Sequence, residues 1–268
     1  MKPQTAIATL CAGNKYAGLW RKYCLRSWTA YAQRHGYALE VFEEPLDQSP
    51  RAASRSPAWQ KCLILSNSRT SSYERVVWVD ADIVISPNAP AILDTVPIEK
   101  VGAVISGDYF QEDMKAIFME RSTRKKIEPG KTAEAWSAHQ RAFYVSAGID
   151  CISSDVIQTG VLVLSQQHRG MLERAYETDL DRSVSAYEQL PLSASILNQG
   201  LFHRIDSRFN LVFVERMTVH YPYLLNKNLI NYAAAALMAV MTEYSNSYFL
   251  HFAYDQGFME FLDPKVYC

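Results

Sequence analysis

The stretch Tyr73–Val84, YERVVWVDADIV, constrains this chain more than any other. Val76, Val77, Trp78 and Val79 form an unbroken apolar run, and such runs belong to strands covered on both faces, as in the middle of a parallel sheet flanked by helices. The run passes directly into Asp80-Ala81-Asp82 and then into Ile83 and Val84. Two carboxylates at the end of a buried strand are costly unless positive charge lies beside them. A divalent cation is the natural partner: carboxylate oxygens suit hard ions such as Mg²⁺ and Mn²⁺, which also take phosphate oxygens from a substrate. A bare D-x-D can instead mark a strand end whose acids cap a turn or meet an arginine.

The flanking pattern supports an α/β sheet with helices on both faces. Thr5–Cys11 is a short apolar and β-branched strand stopped by Gly13 and Asn14, and Tyr16–His35 follows with helical spacing, closed by Gly36. Ala38–Phe42 reads as a second strand, Glu43–Pro57 as a proline- and serine-rich loop, and Trp59–Leu65 as the start of a helix. Val101–Ser106 and Val156–Leu164 are further buried strands; His168–Leu180 and Tyr187–Leu201 read as helices, and Arg204–Val214 as a short extended segment. Asp108–Val145 is charge-rich, with Arg121, Arg124, Lys125, Lys126 and Lys131, and reads as a solvated insertion in preference to a patch for an acidic acceptor or a membrane surface. No repeat or linker divides the sequence, so residues 1–268 are expected to form a single catalytic domain.

Composition excludes several alternatives. With 49% hydrophobic and 21% charged residues over 268 positions, the chain is neither disordered nor a small disulfide scaffold. Its 27 basic and 28 acidic residues nearly cancel, so no global field gathers nucleic acid. The cysteines Cys11, Cys24, Cys62, Cys151 and Cys268 are scattered and never form C-x-x-C, which favours a reducing compartment. Met1–Leu10 lacks the apolar core of a signal peptide, and the expected location is cytoplasmic, at most peripheral at the inner face of a membrane. The uncharged stretch Asn228–Thr242 is too short for a transmembrane segment; core packing is preferred for it over pairing subunits in a homo-oligomer or lying near a membrane acceptor.

Ligands of an open α/β sheet collect at the carboxyl ends of its strands, and unusual polar groups sit at such ends here: the AGNKY loop, Asp80 with Asp82, and Gln158-Thr159-Gly160. Over residues 5–255 these landmarks follow one another in an order that resembles retaining glycosyltransferases of the A-type (GT-A) nucleotide-diphospho-sugar transferase fold. The similar groups are the glycogenin and lipopolysaccharide galactosyltransferase family 8 and the galactosyl- and xylosyltransferases of family 34. TLCAGNKYAGLW resembles their first strand and uridine-binding turn, WVDADIVI the D-x-D strand, and IQTGVLVLSQQHRGMLE the strand and helix bearing N-[AT]-G-[VL]. YEQLPLSASILNQGLF resembles the acceptor-side D-Q or E-Q helix, RFN its sequel, and LHFA the late histidine.

The resemblance implies a Rossmann-like mixed central sheet and a metal-dependent transfer of sugar from a UDP-sugar to a glycan, glycoconjugate or other hydroxyl acceptor, with retention expected. Asp80, Asp82 and His251 would hold Mn²⁺ or Mg²⁺ against the diphosphate; without the resemblance, His251 among Phe249, Leu250 and Phe252 reads as a core histidine. Cys11, Ala12, Asn14 and Tyr16 would receive the base, with the Tyr16 ring as a stacking surface, and Asp80 with Ala81 would serve the metal or ribose. Gln158, Thr159 and Gly160 would line the donor sugar, Gly160 letting sugar and backbone come close. Lys61 would reach the sugar or pyrophosphate, the competing reading being an exposed helical lysine.

Glu188 and Gln189 would lie under the anomeric carbon, stabilising an oxocarbenium-like transition state; a double displacement with Glu188 as nucleophile stays open, as does a carboxylate serving only the helix dipole. The sequence departs from the pattern at Gln158, where asparagine is usual, and after His251, where the Gly-Lys that closes over the pyrophosphate is replaced by Ala253 and Tyr254. Two other readings compete: a non-catalytic sugar-nucleotide or carbohydrate-binding module on the same fold, and an aspartate-nucleophile phosphatase. The second fits poorly, since its D-x-D lies near the N-terminus and runs into threonine rather than Ile83-Val84.

Overall fold

The computed structural model describes residues 4–180 and 187–262; Cys268 lies outside them. The chain begins with β1 (Thr5–Leu10), helices α1 (Asn14–Tyr23) and α2 (Leu25–His35), and β2 (Ala38–Phe42). A short α3 (Pro50–Ala53) and a 3-10 segment, Pro57–Leu63, lead to β3 (Arg75–Val79), β4 (Ile83–Ile85) and β5 (Val101–Ile105). Then come α4 (Glu112–Thr123), α5 (Thr132–Ser146), β6 (Ile157–Ser165), α6 (Arg169–Glu177), α7 (Gln189–Asn198) and β7 (Phe202–Arg204). The last elements are β8 (Leu211–Val212), α8 (Phe213–His220), α9 (Tyr232–Asn246) and β9 (Phe249–His251).

The main sheet has the order β2-β1-β3-β6-β5-β7. Its pairs are parallel except that β6 runs antiparallel to both β3 and β5, so the sheet is mixed. Alternation along β3 divides the core: Val77 and Val79 pack with Ile7, Val161, Trp28 and Phe249 on one face, while Val76 and Trp78 pack with Ala6, Leu162, Leu172 and Leu192 on the other. Both faces are covered, which explains why β3 and β6 are buried at every position but Arg75. A smaller sheet, β4-β9-β8, packs in the first of these layers.

The direction of β6 matters for function. Because it is antiparallel, its first residues, rather than its carboxyl end, arrive at the edge where β3 finishes: Val79 pairs with Val161, and the Asp80 amide donates to the Gly160 carbonyl at 2.8 Å. Gln158-Thr159-Gly160 therefore reaches the ligand edge from the start of a strand, not from the end that the sequence reading assigned.

Other local expectations are corrected. Tyr16–His35 is interrupted at Cys24, whose φ of -106° departs from helical values, so α1 and α2 are separate; Gly36, at φ 70°, caps α2 as expected. The strand expected over Tyr73–Val84 breaks at Asp80-Ala81-Asp82, where the Ile83 amide bonds back to the Asp80 carbonyl at 3.2 Å, and Ile83–Ile85 leaves for the second sheet. Trp59–Leu65 falls largely within a 3-10 segment begun by Pro57. The insertion Asp108–Val145 is largely solvated, as expected, with Arg121, Arg124, Lys125, Lys126 and Lys131 exposed, but it is helical: α4 and α5 occupy it and bury Met119, Thr132, Trp136, Gln140 and Tyr144. Arg204–Val214, read as extended around SRFN, instead forms a 3-10 turn over Ser207–Asn210, the two residues of β8, and α8 from Phe213. In α9, Ala236, Ala239, Val240, Glu243 and Tyr244 face the core, as the reading of Asn228–Thr242 preferred, and Glu243 is held by Arg216 at 2.9 Å.

Candidate active site

The turn Asp80-Ala81-Asp82 joins the two sheets, and its position brings distant residues together. Antiparallel pairing of β4 with β9 sets Ile83 opposite His251, so a histidine 169 positions after Asp82 is delivered beside it, with Nε2 3.2 Å from Asp82 Oδ1. One ligand atom from each of Asp80, Asp82 and His251 lies within 4.8 Å of the others, a spacing a metal ion could occupy. Gly160 makes room for this: a Cβ there would lie 2.5 Å from His251 Cε1. The space that glycine leaves open is filled by the imidazole.

His251 is oriented from behind. Asn210, fully buried, donates through Nδ2 to the Gln158 carbonyl at 3.1 Å, which turns its Oδ1 toward His251 Nδ1 at 2.8 Å. An acceptor at Nδ1 fixes a proton there and leaves Nε2 facing the carboxylates. Burial lowers the His251 pKa, but Asp82 and Asp80 outweigh it and hold it above the ordinary histidine value. Burial likewise pushes Asp82 up, against which His251 and Gln256 prevail, leaving it below the usual range; Gln256 Nε2 donates to Asp82 Oδ2 at 3.0 Å. For Asp80 burial is the larger effect, and its pKa stays raised despite Lys61 and His251.

Lys61 is neither an exposed helical lysine nor free to roam. It is 2% exposed, with Nζ 3.0 Å from Asp80 Oδ1 and 2.9 Å from Glu188 Oε1, and it also donates to the Thr159 carbonyl at 3.2 Å. Burial would lower its pKa, yet Asp80 and Glu188 together hold it above the ordinary lysine value. Asp80 receives a further bond from Trp78 Nε1 at 2.7 Å. The lysine thus joins the D-x-D turn to the residue that opens α7.

Glu188 is buried at the N-terminus of α7, and its Oε1 also accepts from Thr159 Oγ1 at 3.0 Å. Its Oε2 has no hydrogen bond among the described residues. Gln189, half-buried, donates through Nε2 to the Ile157 carbonyl at 2.9 Å, so its amide oxygen points elsewhere. Gln158 is buried and donates through Nε2 to Ser106 Oγ at 3.3 Å and Glu215 Oε1 at 3.2 Å.

The β1–α1 turn forms the adjoining wall. Ala12, Gly13, Asn14 and Ala17 line a pocket of about 320 Å³ with Glu43, Glu44 and Pro45. Gly13 takes φ 83°, a conformation other residues adopt at a cost, and so turns the chain into α1. Tyr16 is exposed on α1, whereas Cys11 is fully buried, its thiol pushed up to about 12 chiefly by burial, with Glu43 and then Asp82 adding to the rise. Ala81 is tied to the junction of α1 and α2, where Cys24 Sγ donates to its carbonyl at 3.4 Å.

Asn210, Gln256, Trp78 and Glu215 join the site without being among the residues expected there. Asn210 had a usable signal, a polar residue between Phe209 and Leu211 within RFN; Gln256 and Glu215 had none, because only the tertiary fold brings them to the site.

No protein-family model matches the sequence, and no curated protein does. Solved structures do. A glycosyltransferase involved in glycosylation of the major capsid of PBCV-1 superposes with a TM-score of 0.55 at 14% identity, covering 96% of this chain and all of that one. The bifunctional glycosyltransferase WbbM in its apo form gives a TM-score of 0.49 at 12% identity, and the match spans 94% of this chain but only 46% of WbbM. The fold is that of the GT-A glycosyltransferases, as expected from the sequence. Among the described residues no helix is long and apolar enough to cross a membrane.

Proposed function

We propose that the chain is a metal-dependent glycosyltransferase that takes a UDP-sugar as donor and a hydroxyl of a carbohydrate or glycoconjugate as acceptor. The observation that carries the reading is the convergence of Asp80, Asp82 and His251, from two sheets, around one ion-sized space. The donor set fits Mn²⁺ or Mg²⁺: two carboxylates and one imidazole whose far nitrogen is already occupied by Asn210. His251 Nε2 and Asp82 Oδ1, 3.2 Å apart, face one another across the place where the cation's charge would act. Bound there, the cation would neutralise charge growing on the departing diphosphate.

The chain's own residues account for the rest. The pocket between Gly13 and Glu43 suits a base, with Asn14 at its edge and Tyr16 nearby on α1. Lys61 places one positive charge between the buried Glu188 and the partly exposed Asp80, within 3.0 Å of a carboxylate oxygen of each. With one oxygen of Glu188 clamped by Lys61 and Thr159, the other is left to face the positive charge that develops at the anomeric carbon, and the amide oxygen of Gln189 can do the same. A clamped carboxylate suits charge stabilisation better than nucleophilic attack. Transfer then proceeds with retention: the bond from the anomeric carbon to the diphosphate breaks, the acceptor oxygen bonds on the same face, and its proton passes to a diphosphate oxygen. Residues 1–268 are read as a single catalytic domain.

Calorimetric titration of UDP with and without Mn²⁺ tests this reading. UDP binding should require Mn²⁺ and be lost in Asp82→Asn with the fold retained; equal affinity in the variant contradicts it.

A further inference from the structure

One buried carboxylate beside the site has no role in the account above. Glu215, on α8, is hydrogen-bonded to the site through Gln158 and also lies near enough to His251 to feel its charge. Its Oε1 accepts from Gln158 Nε2 at 3.2 Å, and its Oε2 accepts from the Tyr109 hydroxyl. The other N–H of Gln158 goes to Ser106 Oγ at 3.3 Å. A primary amide has two N–H donors and both are used, while its carbonyl oxygen has no hydrogen bond among the described residues.

A carboxylate filled by two donors accepts and does not donate, so it dictates which end of the amide faces it. The oxygen of Gln158 is turned away from Glu215, in a residue whose neighbour Thr159 bonds Glu188 and whose own carbonyl bonds Asn210 behind His251. Ser106 and Tyr109 are themselves fixed by the turn after β5, where Gly107 adopts φ 77° and a Cβ would lie 2.3 Å from the Trp136 ring. The amide is held through both N–H groups beside the site, with its acceptor end uncommitted among the described residues.

We propose that Glu215, supported by Tyr109 and Ser106, is a positioning residue that fixes Gln158 as an acceptor-only contact for one hydroxyl of the transferred sugar, so that the site selects donors bearing that hydroxyl. The inference rests on the glycosyltransferase reading and adds its sugar specificity. A group built to bond a hydroxyl discriminates more strongly than an apolar wall, because an analogue lacking the hydroxyl leaves it buried and unpaired. With glutamine at position 215 that sense is lost, since either end of the new amide can face Gln158 and let it turn.

The test is calorimetric binding of UDP, UDP-glucose, UDP-galactose, UDP-xylose and UDP-N-acetylglucosamine in Mn²⁺, to the full chain and to Glu215→Gln, Gln158→Glu and the double variant. The wild type should prefer one sugar over another by about tenfold or more. Glu215→Gln should collapse that ratio while leaving the affinity for UDP itself unchanged. The double variant should restore it, because the amide at 215 donates to one oxygen of the carboxylate at 158 and leaves the other as acceptor. A merely structural Glu215 would weaken UDP and all UDP-sugars alike, with no recovery in the double variant. Wild-type binding of UDP without preference among the sugars, a ratio unchanged in Glu215→Gln, or failure of the double variant to recover overturns this inference alone; a wild type that binds neither UDP nor UDP-sugars overturns the functional reading beneath it.

Discussion

Replacing Lys61 by methionine removes the positive charge while keeping most of the side-chain volume. Lys61 lies 3.0 Å from Asp80 and 2.9 Å from Glu188 and is 2% exposed. At such distances, with an effective dielectric constant of about 20, each pair attracts by about 5–6 kcal/mol before desolvation is counted. Desolvation of three ions consumes much of this, so the attraction is not the net worth of the cluster. The relevant quantity is the cost of deleting one partner, about 3–5 kcal/mol, because two carboxylates are then left close together without a cation. That is a large share of the about 5–15 kcal/mol by which domains are typically stable. Urea denaturation in EDTA, so that no metal replaces the lysine, should show a loss of this size. The matched control is Lys227→Met: its partner Asp255 is 3.7 Å away and the two side chains are 74% and 40% exposed, so a loss of about 0–1 kcal/mol is expected. A loss for Lys61→Met as small as the control's refutes the argument that Lys61 is the counter-ion of Asp80 and the buried Glu188.

Further outcomes can be checked on the same protein. Asn210→Ala removes the acceptor that orients His251, and Mn²⁺ affinity should fall about 10–100-fold while Asp80 and Asp82 remain in place; an unchanged metal titration contradicts that orienting role. Gln189→Ala should reduce turnover more than donor affinity, whereas a loss confined to affinity would make Gln189 a binding residue. Burial is the chief cause that raises the pKa of Glu215 above the ordinary value of 4.5, with Tyr109 and Gln158 opposing it. Its ionisation is therefore harder in the folded chain than in the unfolded one, so the contribution of Glu215 to stability should be fullest below pH 4.5 and be lost as pH rises through the folded value. Glu215→Gln cannot ionise, so its stability relative to wild type should rise over that range; parallel urea midpoints across pH would count against the burial penalty.

The parts of the site that were legible in the sequence had short-range signals. Val76–Val79 running into Asp80 and Asp82 gave the buried strand and its acidic end, because covering both faces removes polar alternation from the strand itself. Gly13 and Gly36 marked turns that need positive φ. His251 was legible only through the resemblance of LHFA to a motif, since its pairing with Ile83 depends on a second sheet that no local pattern announces. The orientation of β6 was hidden for a related reason: an apolar run covered on both faces looks alike in either direction. The break at Cys24 lies inside one continuous apolar stripe, and α4 and α5 bury few residues along a charge-rich sequence. Lys61 was ambiguous because its partners, Asp80 and Glu188, are 19 and 127 positions away, and nothing near it in the sequence shows that it is buried.

The central claim is that Asp80, Asp82 and His251 make this fold a metal-dependent transferase. Its most direct test is nucleotide release: the full chain is incubated with a panel of UDP- and GDP-sugars, with and without Mn²⁺, water serving as acceptor, beside Asp82→Asn. The account predicts release of UDP from a UDP-sugar that requires Mn²⁺ and disappears in Asp82→Asn. Release that is indifferent to Mn²⁺, or equal in the variant, would contradict it.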